Sequence, residues 1–177
     1  LYSNDFYKEN PMAKRFVKKF SLDENEQEIL AEYCKSVNID FASTPYSIDE
    51  ANFLINKCKV PFIKVASMDI NNYPYLRYLA KTESAIIISS GMANFDEITK
   101  AIKLLESEGA KNVILLHCIS IYPAAPESIN LNHIRFLKES FPNITIGYSD
   151  HTLGIEVGIA SVAMGACVIE KHFTLDS

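Results

Sequence analysis

The sequence has few glycines, six in 177 residues, and none of them forms a GxGxxG or P-loop pattern. Such patterns let the backbone approach the phosphates of a nucleotide, and they mark the first strand-to-helix turn of many nucleotide-binding sheets. Their absence disfavours an open nucleotide-binding sheet among the architectures that place helices against parallel strands.

Paired cysteines, excess positive charge and long apolar runs are also lacking. The four cysteines form no CxxC pair, and Cys118 and Cys167 lie in apolar runs where a reduced thiol packs as a small hydrophobe. We therefore expect a reducing, cytoplasmic setting. The net charge of −5 argues against a general nucleic-acid or anionic-membrane binder. No run reaches about 18 apolar residues and the N-terminus is polar, so we expect neither a membrane span nor a signal peptide.

Apolar runs of strand length recur along a chain whose composition, 48% hydrophobic and 22% charged, is typical of a soluble globular domain. The runs cover residues 39–42, 62–66, 85–89, 112–118, 144–148 and 167–172. Segments with helical periodicity cover residues 25–36, 48–57, 95–108, 131–139 and 153–164. Strands and helices therefore alternate without a hairpin signal, which predicts a parallel sheet covered by helices.

Polar clusters follow almost every predicted strand, as at residues 43–44, 67–69, 89–91 and 149–151. The active sites of (β/α)8 barrels lie at the C-terminal ends of their strands, so this distribution favours a barrel over an open sheet. Only about six βα units are present, where a barrel has eight. The sequence therefore predicts an α/β fold that is a partial (β/α)8 TIM barrel.

Two histidines end consecutive predicted strands. Alternation along a strand places Ser149 with His151 on one face, and Glu170 with His172 on one face. The two imidazoles converge if both faces line a barrel. Neutral imidazoles together with oxygen ligands suit Mn²⁺ or another divalent ion, and two protein ligands leave positions open for a substrate. The alternative is that each histidine only makes local hydrogen bonds.

Lys64 lies inside an apolar predicted strand, PFIKVAS at residues 61–67. An unpaired buried ammonium is costly, so Lys64 requires an anion, either a protein carboxylate or the phosphate or carboxylate of a ligand. Hydroxyl groups at strand ends could complete an anion site around it, namely those of Thr44, Ser67, Ser89 and Ser149.

Other polar and aromatic residues leave two interpretations open. His117 is expected to be a satisfied core histidine and His133 to lie on a helix surface. The segment at residues 89–92 could bind an anion at the start of the following helix, or it could be a plain loop with Asn94 as the helix cap. Tyr122, which precedes a proline, either closes over a ligand or packs within its loop.

Six segments carry a resemblance to a known family: FASTPY at 41–46, IKVAS at 63–67, ISSGM at 88–92, LLHC at 115–118 with Tyr-Pro at 122–123, GYSDHT at 147–152 and EKHFT at 170–174. In order and spacing the chain resembles the sialic acid synthase family, which comprises N-acetylneuraminate synthases and their legionaminate, pseudaminate and spore-coat polysaccharide relatives. The last two motifs are highly specific together.

The resemblance implies a (β/α)8 barrel followed by a small C-terminal antifreeze-like domain, in a homodimer. The chain begins at Leu1 rather than Met. Against the family template we expect residues 1–177 to be a partial TIM-barrel catalytic domain that holds strands three to eight. The first two strands, which supply a glutamate and a lysine in the family, and the C-terminal domain are expected to be absent.

The resemblance also implies a reaction. The family condenses phosphoenolpyruvate with an N-acylated mannosamine-type aldose, such as N-acetylmannosamine or a 2,4-diacetamido-trideoxyhexose, and releases phosphate. A divalent ion, Mn²⁺ in preference to Mg²⁺ or Co²⁺, polarises the sugar aldehyde while C3 of the enol attacks it. Water then adds at C2, and phosphate leaves by C–O cleavage. The implied partners are these small molecules, with no nucleic acid or membrane.

Roles carried over from the family fall on named positions. His151 and His172 are the implied metal ligands, with Asp150 as their outer-shell support. The implied phosphoenolpyruvate ligands are Lys64, Thr44, Ser67, Ser89 and Ser149, and the implied neighbours of the sugar are Asp69, Ser120 and Tyr122. Ser120 replaces an amide that is common in N-acetylneuraminate synthases, and Asp69 is one methylene shorter than the usual glutamate, so the resemblance leaves the aldose open.

Two other functions are considered. The chain could be a catalytically inactive barrel fragment that acts only in binding or assembly, because the unpaired edges of an incomplete barrel predict reliance on a partner. Another phosphoenolpyruvate-using barrel, a deoxyoctulosonate-phosphate synthase, is disfavoured because its motifs differ from those found in this sequence.

Overall fold

The computed structural model describes the backbone of residues 11–175, and their side chains except at positions 13, 14, 16 and 17. Contacts within the chain divide it into two compact units, Leu1–Pro61 and Phe62–Ser177. The parallel sheet lies wholly in the second unit.

The first unit is helical in its described part. Its helices are α1 (Pro11–Phe20), α2 (Glu24–Ser36) and α3 (Ile48–Phe53), and α3 continues as a π-helical turn, Leu54–Cys58. Asp23 caps α2 by accepting from the N–H of Glu26, and the carboxylate of Glu26 accepts in return from the N–H of Asp23, both at 2.8 Å. This reciprocal box satisfies two amides that the helix itself cannot bond.

The first of the six predicted strands does not form. Residues 39–45 have no helical or strand conformation, and Ile39 is 64% exposed. The amide and carbonyl groups of a strand require the ladder of a neighbouring strand, and no residue of the first unit belongs to the sheet that the structure describes. The described sheet therefore has five strands rather than six.

The second unit alternates strands and helices, as expected, and it also contains a helix at residues 73–80 that the sequence does not predict. Its strands are β1 (Phe62–Val65), β2 (Ala85–Ser89), β3 (Val113–Cys118), β4 (Thr145–Asp150) and β5 (Ile169–Lys171). Its helices are α4 (Tyr73–Ala80), α5 (Phe95–Ser107), α6 (Asn132–Ser140) and α7 (Glu156–Ala163). The strands form one parallel sheet in the order β1-β2-β3-β4-β5, which confirms the α/β prediction.

The central strands are buried on one face of the sheet. Ile86 and Ile88 on β2 and Leu115 on β3 are at most 1% exposed. One face of α5 is buried as its periodicity predicts, through Ile98, Ala101, Ile102 and Leu105. Near-continuous apolar strands of this kind are typical of parallel sheets between helices.

The sheet is also strongly curved. Lys64 on β1 and Glu170 on β5 form an ion pair with Nζ and Oε2 3.6 Å apart, although three strands lie between theirs. In a flat sheet, four spacings of about 4.8 Å would separate these strands by about 19 Å. The strands therefore curl toward each other like those of a barrel, and the two side chains meet on the concave face. The fold is a partial TIM barrel, as predicted.

His117 is the satisfied core histidine that the sequence predicts. It is 3% exposed, and its Nε2 lies 2.8 Å from the carbonyl oxygen of Ile129. Burial lowers the pKa of His117; the bond to Ile129 opposes this shift and the charge of His133 adds to it. The prediction that His133 lies on the surface is wrong. It is half-buried because α6 packs its ring against His117, with the centroids 5.1 Å apart.

The cysteines are unpaired in the structure, and one of them departs from its predicted environment. Cys118 is buried, as expected for a small hydrophobe, but Cys167 is exposed because it precedes β5 at the edge of the sheet. Among residues 11–175, no helix combines the length and the apolar character that crossing a membrane requires.

Candidate active site

The candidate site lies where β4 and β5 end. Side-chain alternation brings Ser149 and His151 to the same concave face as Glu170 and His172, and the strand register pairs Ser149 with Glu170. A cleft of about 210 Å³ is lined by residues 149–151 and 170–172. The site therefore occupies the C-terminal strand ends, where barrel enzymes hold their active sites.

The two predicted metal-binding histidines are brought together. The ring centroids of His151 and His172 lie 5.5 Å apart. Nδ1 of His151 lies 2.7 Å from the carbonyl oxygen of Ile119, and since a carbonyl oxygen only accepts, Nδ1 carries the hydrogen. In the neutral ring, Nε2 then keeps its lone pair.

The lone pair of His151 Nε2 is not taken up by the nearest hydroxyl. Ser149 Oγ lies 3.4 Å from Nε2, but it donates its hydrogen to the carboxylate of Glu170 at 2.6 Å. A carboxylate accepts only, so the direction of that bond is fixed. Nε2 of His151 is therefore available to an electrophile at the cleft.

This arrangement fits a divalent metal ion. Metal-binding histidines usually donate their second N–H to a carbonyl or carboxylate oxygen, as His151 does to Ile119. Within residues 11–175, no cluster of three or more His, Cys, Asp or Glu side chains has metal-binding geometry. Coordination of a divalent ion by His151 and His172 stays a prediction.

Lys64 has the protein carboxylate that its burial requires. Its side chain is 12% exposed, and its Nζ lies 3.6 Å from Glu170 Oε2. Nζ also donates to Ser89 Oγ at 2.8 Å and to the carbonyl of Val65 at 3.1 Å. The first of the two predicted partners, a protein carboxylate, is confirmed, and a ligand anion stays a prediction.

Burial governs the protonation of the groups around Lys64. It lowers the pKa of the Lys64 ammonium below its ordinary value, while the charge of Glu170 opposes the shift. It also raises the pKa of the Cys118 thiol, against hydrogen bonds with Ser149 and Ser120. The site thus holds a partly desolvated cation beside a neutral thiol, and a further anion would stabilise that cation.

Tyr122 covers the histidines. Its ring centroid lies 4.0 Å from that of His151 and 5.7 Å from that of His172. The residue is 64% exposed and precedes a cis peptide bond to Pro123. The ring therefore stands against both imidazoles, while most of the residue is exposed.

Ser67 and Ser120 form a second pair of hydroxyl groups, with their Oγ atoms 3.1 Å apart. Gly91 lies directly beside Ser120. A Cβ at residue 91 would come within 2.5 Å of Ser120 Oγ and 2.9 Å of Cys118 Sγ, so a close approach requires glycine there. Asn94 caps α5 by accepting from the N–H of Glu97 at 3.0 Å, which favours the plain-cap interpretation of this loop.

Thr44 and Asp69 do not line the cleft at residues 149–151 and 170–172. Thr44 belongs to the first unit, where it lines a cleft of about 570 Å³ with residues such as Phe41 and Phe53. Asp69 ends a 3₁₀ turn, and its carboxylate accepts from Nδ2 of Asn72 at 3.2 Å. Their roles in binding phosphoenolpyruvate and sugar stay predictions.

Asp150 does not contact the histidine rings in the way the resemblance implies. It is fully buried, and its carboxylate accepts from Lys171 at 2.7 Å and from the N–H of Thr152 at 2.9 Å. Burial alone would raise the pKa of Asp150, but the hydrogen bonds from Lys171 and Thr152 outweigh it and lower the pKa. The carbonyl of Ile119, rather than Asp150, holds the ring of His151.

Two functional groups escape prediction from the sequence. Alternation places Glu170 on the face of His172, but nothing local indicates that it pairs with Lys64 on the opposite edge strand. The Ile119 carbonyl has no sequence signal, because any residue supplies one. The burial of Lys64 was the available clue to Glu170, since it demanded a carboxylate from elsewhere in the chain.

Comparison with known proteins gives consistent matches. The NeuB family model matches residues 2–177. The chain is 47% identical over 175 residues to the uncharacterized protein MJ1065 of Methanocaldococcus jannaschii, over 99% of this chain and 51% of that protein. It is 44% identical over 164 residues to the N,N'-diacetyllegionaminic acid synthase of Campylobacter jejuni, over 92% of this chain and 48% of that enzyme.

A solved structure is similar over nearly the whole chain. The crystal structure of the N-acetylneuraminic acid (sialic acid) synthetase from Leptospira borgpetersenii in complex with citrate matches with a TM-score of 0.90 at 37% identity. The match covers 97% of this chain and 59% of that one. The chain spans about half the length of the curated relatives it matches.

Proposed function

Because the chain belongs to the NeuB family, we propose that the protein condenses phosphoenolpyruvate and water with an N-acylated mannosamine-type aldose, giving a nonulosonic acid and phosphate. The similarity to synthases of N,N'-diacetyllegionaminic and N-acetylneuraminic acid supports this reaction class. The observation that carries the proposal is the presence, on one concave face, of a buried cation at Lys64 and the converging imidazoles of His151 and His172.

Phosphoenolpyruvate binds through the Lys64 side of the site. Glu170 already accepts a hydrogen bond from the hydroxyl of Ser149 and pairs with the ammonium of Lys64, which in turn donates to the hydroxyl of Ser89. Charge-assisted hydrogen bonds from such donors suit a carboxylate or phosphate. In this proposal Ser67 adds a further donor to the same substrate, and the role of Thr44 rests on the family resemblance alone.

The aldose binds on the histidine side. His151 and His172 would hold a divalent ion, preferably Mn²⁺, which supplies Lewis-acid polarisation of the sugar aldehyde when bound. Tyr122 supplies the open ring surface beside them, and we assign Ser120 and Asp69 to the sugar as well. The chain thereby orients the two substrates for bond formation between C3 of the enol and the aldehyde carbon. Holding both reactants in this geometry lowers the entropic part of the activation barrier.

The whole protein is proposed to be a complete (β/α)8 barrel with a C-terminal antifreeze-like domain, assembled as a homodimer. The unpaired cysteines of the described residues support the prediction of a reducing, cytoplasmic setting. The chain length relative to the curated relatives supports a longer protein.

The test is phosphate release from phosphoenolpyruvate by the full-length protein, with N-acetylmannosamine or a 2,4-diacetamido-trideoxyhexose, before and after treatment with EDTA. Turnover that requires a divalent ion is expected with one of these sugars. His151→Ala and His172→Ala should each remove Mn²⁺ binding, measured by calorimetry. Absence of turnover with every such sugar would overturn the reaction, and unchanged Mn²⁺ affinity in both variants would overturn the metal site.

An alternative is that the chain by itself acts only in binding or assembly. The observation in its favour is that β1 and β5 are edge strands in the described sheet, which leaves backbone groups free to pair with another chain. Calorimetry of the isolated 177-residue chain with Mn²⁺ and phosphoenolpyruvate distinguishes the two functions. Weak or absent binding to the isolated chain, with tight binding to the full-length protein, would favour the alternative for the chain alone.

A further inference from the structure

A second layer of polar side chains lies behind the histidines, and the proposed reaction does not use it. Asp150 precedes His151 at the end of β4, and Lys171 precedes His172 at the end of β5. Successive side chains on a strand point to opposite faces, so Asp150 and Lys171 point away from the concave face that the histidines share.

An ion pair joins these two residues across the strands. Lys171 Nζ donates to Asp150 Oδ2 at 2.7 Å, where the side chain of Asp150 is 0% exposed and that of Lys171 is 26% exposed. Tyr148 donates to the other carboxylate oxygen of Asp150 at 3.3 Å. Removing one partner of such a buried pair leaves the other charge uncompensated.

Asp150 and Lys171 also form hydrogen bonds with Thr152, the residue that follows His151 in the chain. Oδ1 of Asp150 accepts from the N–H and the hydroxyl of Thr152 at 2.9 and 2.7 Å, and Lys171 donates to the carbonyl of Thr152 at 2.9 Å. The residues directly before and after His151 are thus tied to the residue directly before His172.

The strand ladder does not supply this tie. The register of β4 and β5 ends with the pair Asp150 and Lys171, so both histidines lie one residue beyond it. The ion pair and its bonds to Thr152 connect the two strands at this point, in addition to the hydrogen bond from Ser149 to Glu170 on the concave face. They determine how the backbone carrying one imidazole is placed relative to the other.

We propose that Asp150 and Lys171 are positioning residues, which hold His151 and His172 from outside the cleft in the mutual orientation that a divalent ion requires. Neither residue touches the metal or a substrate. The inference rests on the two-histidine site of the proposed function, and it replaces the direct support of the histidine rings by Asp150 that the resemblance implies.

The test uses the full-length protein with Lys171→Met, which removes the charge, and Lys171→Arg, which keeps it. Asp150→Asn tests the other partner while preserving side-chain shape. Lys111→Met is the matched control, because Lys111 forms an exposed ion pair with Glu83 at 3.5 Å, with side-chain exposures of 72% and 92%. The measurements are Mn²⁺ affinity, phosphoenolpyruvate affinity, thermal unfolding, and the ¹⁵N spectrum of the histidine rings in metal-free protein.

Lys171→Met is expected to weaken Mn²⁺ binding by about 10- to 100-fold, the range found when outer-shell partners are removed. Phosphoenolpyruvate affinity should change by less than about twofold, because Lys64 and Ser89 lie on β1 and β2, and Ser149, although it precedes Asp150, points to the opposite face of the sheet. Lys171→Arg should restore most of the Mn²⁺ affinity, and Lys111→Met should leave it unchanged. In the metal-free native protein, the ¹⁵N spectrum should show His151 in the Nδ1–H tautomer alone. In metal-free Lys171→Met it should show an average of the Nδ1–H and Nε2–H tautomers.

A purely structural role gives a different pattern. Loss of Mn²⁺ and phosphoenolpyruvate affinity in parallel with the folded fraction would overturn the proposal, as would native Mn²⁺ affinity in folded Lys171→Met. If Lys171→Met does not fold, Asp150→Asn decides on the same criteria. If the native protein binds no Mn²⁺, the metal site of the proposed function fails. The ¹⁵N spectra then test the positioning role alone, and identical imidazole signals in the native protein and Lys171→Met would overturn that role.

Discussion

Lys64 and Glu170 stand on the two outermost strands of the sheet, and yet their charged groups meet 3.6 Å apart on its concave face. The same carboxylate accepts the hydroxyl of Ser149 at 2.6 Å. One protein anion therefore occupies two of the donors that we assign to phosphoenolpyruvate, Lys64 and Ser149. A substrate anion has to share these donors with Glu170 or displace it.

Replacement of Lys64 by methionine is expected to weaken phosphoenolpyruvate binding to the full-length protein by about 100-fold or more. Truncating one partner of a fully buried, hydrogen-bonded charge pair costs about 2–5 kcal/mol, and the lower part of that range applies to Lys64 because the side chain of Glu170 is 43% exposed. The variant also leaves Glu170 facing the substrate without its cation. Calorimetric titration measures the affinity. Lys111→Met controls for loss of a lysine at an exposed pair, and native affinity in Lys64→Met would contradict the assignment.

Replacement of Glu170 by glutamine is expected to act in the opposite direction. Neutralising the competing carboxylate should tighten phosphoenolpyruvate binding by about tenfold, which corresponds to about 1.4 kcal/mol. Thermal unfolding should occur at lower temperature, because Lys64 loses its counter-ion. Glu170→Asp, which keeps the charge, is the control. Weaker phosphoenolpyruvate binding by Glu170→Gln would show that Glu170 assists the substrate instead of competing with it.

His117 should make stability depend on pH. Its pKa in the folded protein is lowered from the ordinary value of 6.5, so the unfolded chain takes up a proton as the pH falls through that value while the folded protein does not. The free energy of unfolding should therefore decrease below 6.5, by at most about 1.4 kcal/mol per pH unit, until the lowered pKa is reached.

Urea unfolding of the full-length protein between about pH 7.5 and about pH 5 measures this dependence. The free energy of unfolding of His117→Gln should depend less on pH than that of the native protein. His133→Gln should reduce the dependence without abolishing it, because His133 contributes only part of the shift at His117. Equal slopes in the native protein and His117→Gln would exclude His117 as the source.

Replacement of Gly91 by alanine is expected to destabilise the protein by about 1–3 kcal/mol, the usual cost of overpacking. The added Cβ would lie 2.5 Å from Ser120 Oγ, so Ser120→Ala in the same protein should recover part of the loss. Gly158→Ala in α7 is the matched control. Its Cβ would meet only Asp150 Oδ2, at an ordinary 3.4 Å, and helix propensity there favours alanine by about 1 kcal/mol. Equal destabilisation by both alanines would contradict the steric argument.

Sequence periodicity predicts most of the regular parts of the fold, but it does not predict α1 or α4. The strands β1 to β5 follow five of the six apolar runs, and α5 follows its buried stripe and its Asn94 cap. The run at residues 39–42 has the composition of a strand, but it forms none, because composition alone cannot supply the neighbouring strand that pairing requires. No helix is predicted at residues 73–80, where α4 forms, although Pro74 in its first turn is a helix-start residue.

The site was predictable as far as strand alternation reaches. Alternation correctly grouped Ser149 with His151 and Glu170 with His172, because that grouping is a property of single strands. The ion pair of Lys64 with Glu170 depends on the curvature accumulated over five strands, which no short sequence pattern encodes. Residue types alone likewise did not reveal that Ile119 offers its backbone to His151.

Strand β5 is three residues long and carries opposite chemistry on its two faces. Loss of the codon for Ile169 would shift the residues after it by one position along the strand. The ammonium of Lys171 would then point toward the cleft, and the imidazole of His172 would point away from it. In genetic terms, this stretch can accept some substitutions, but it cannot accept a change of length.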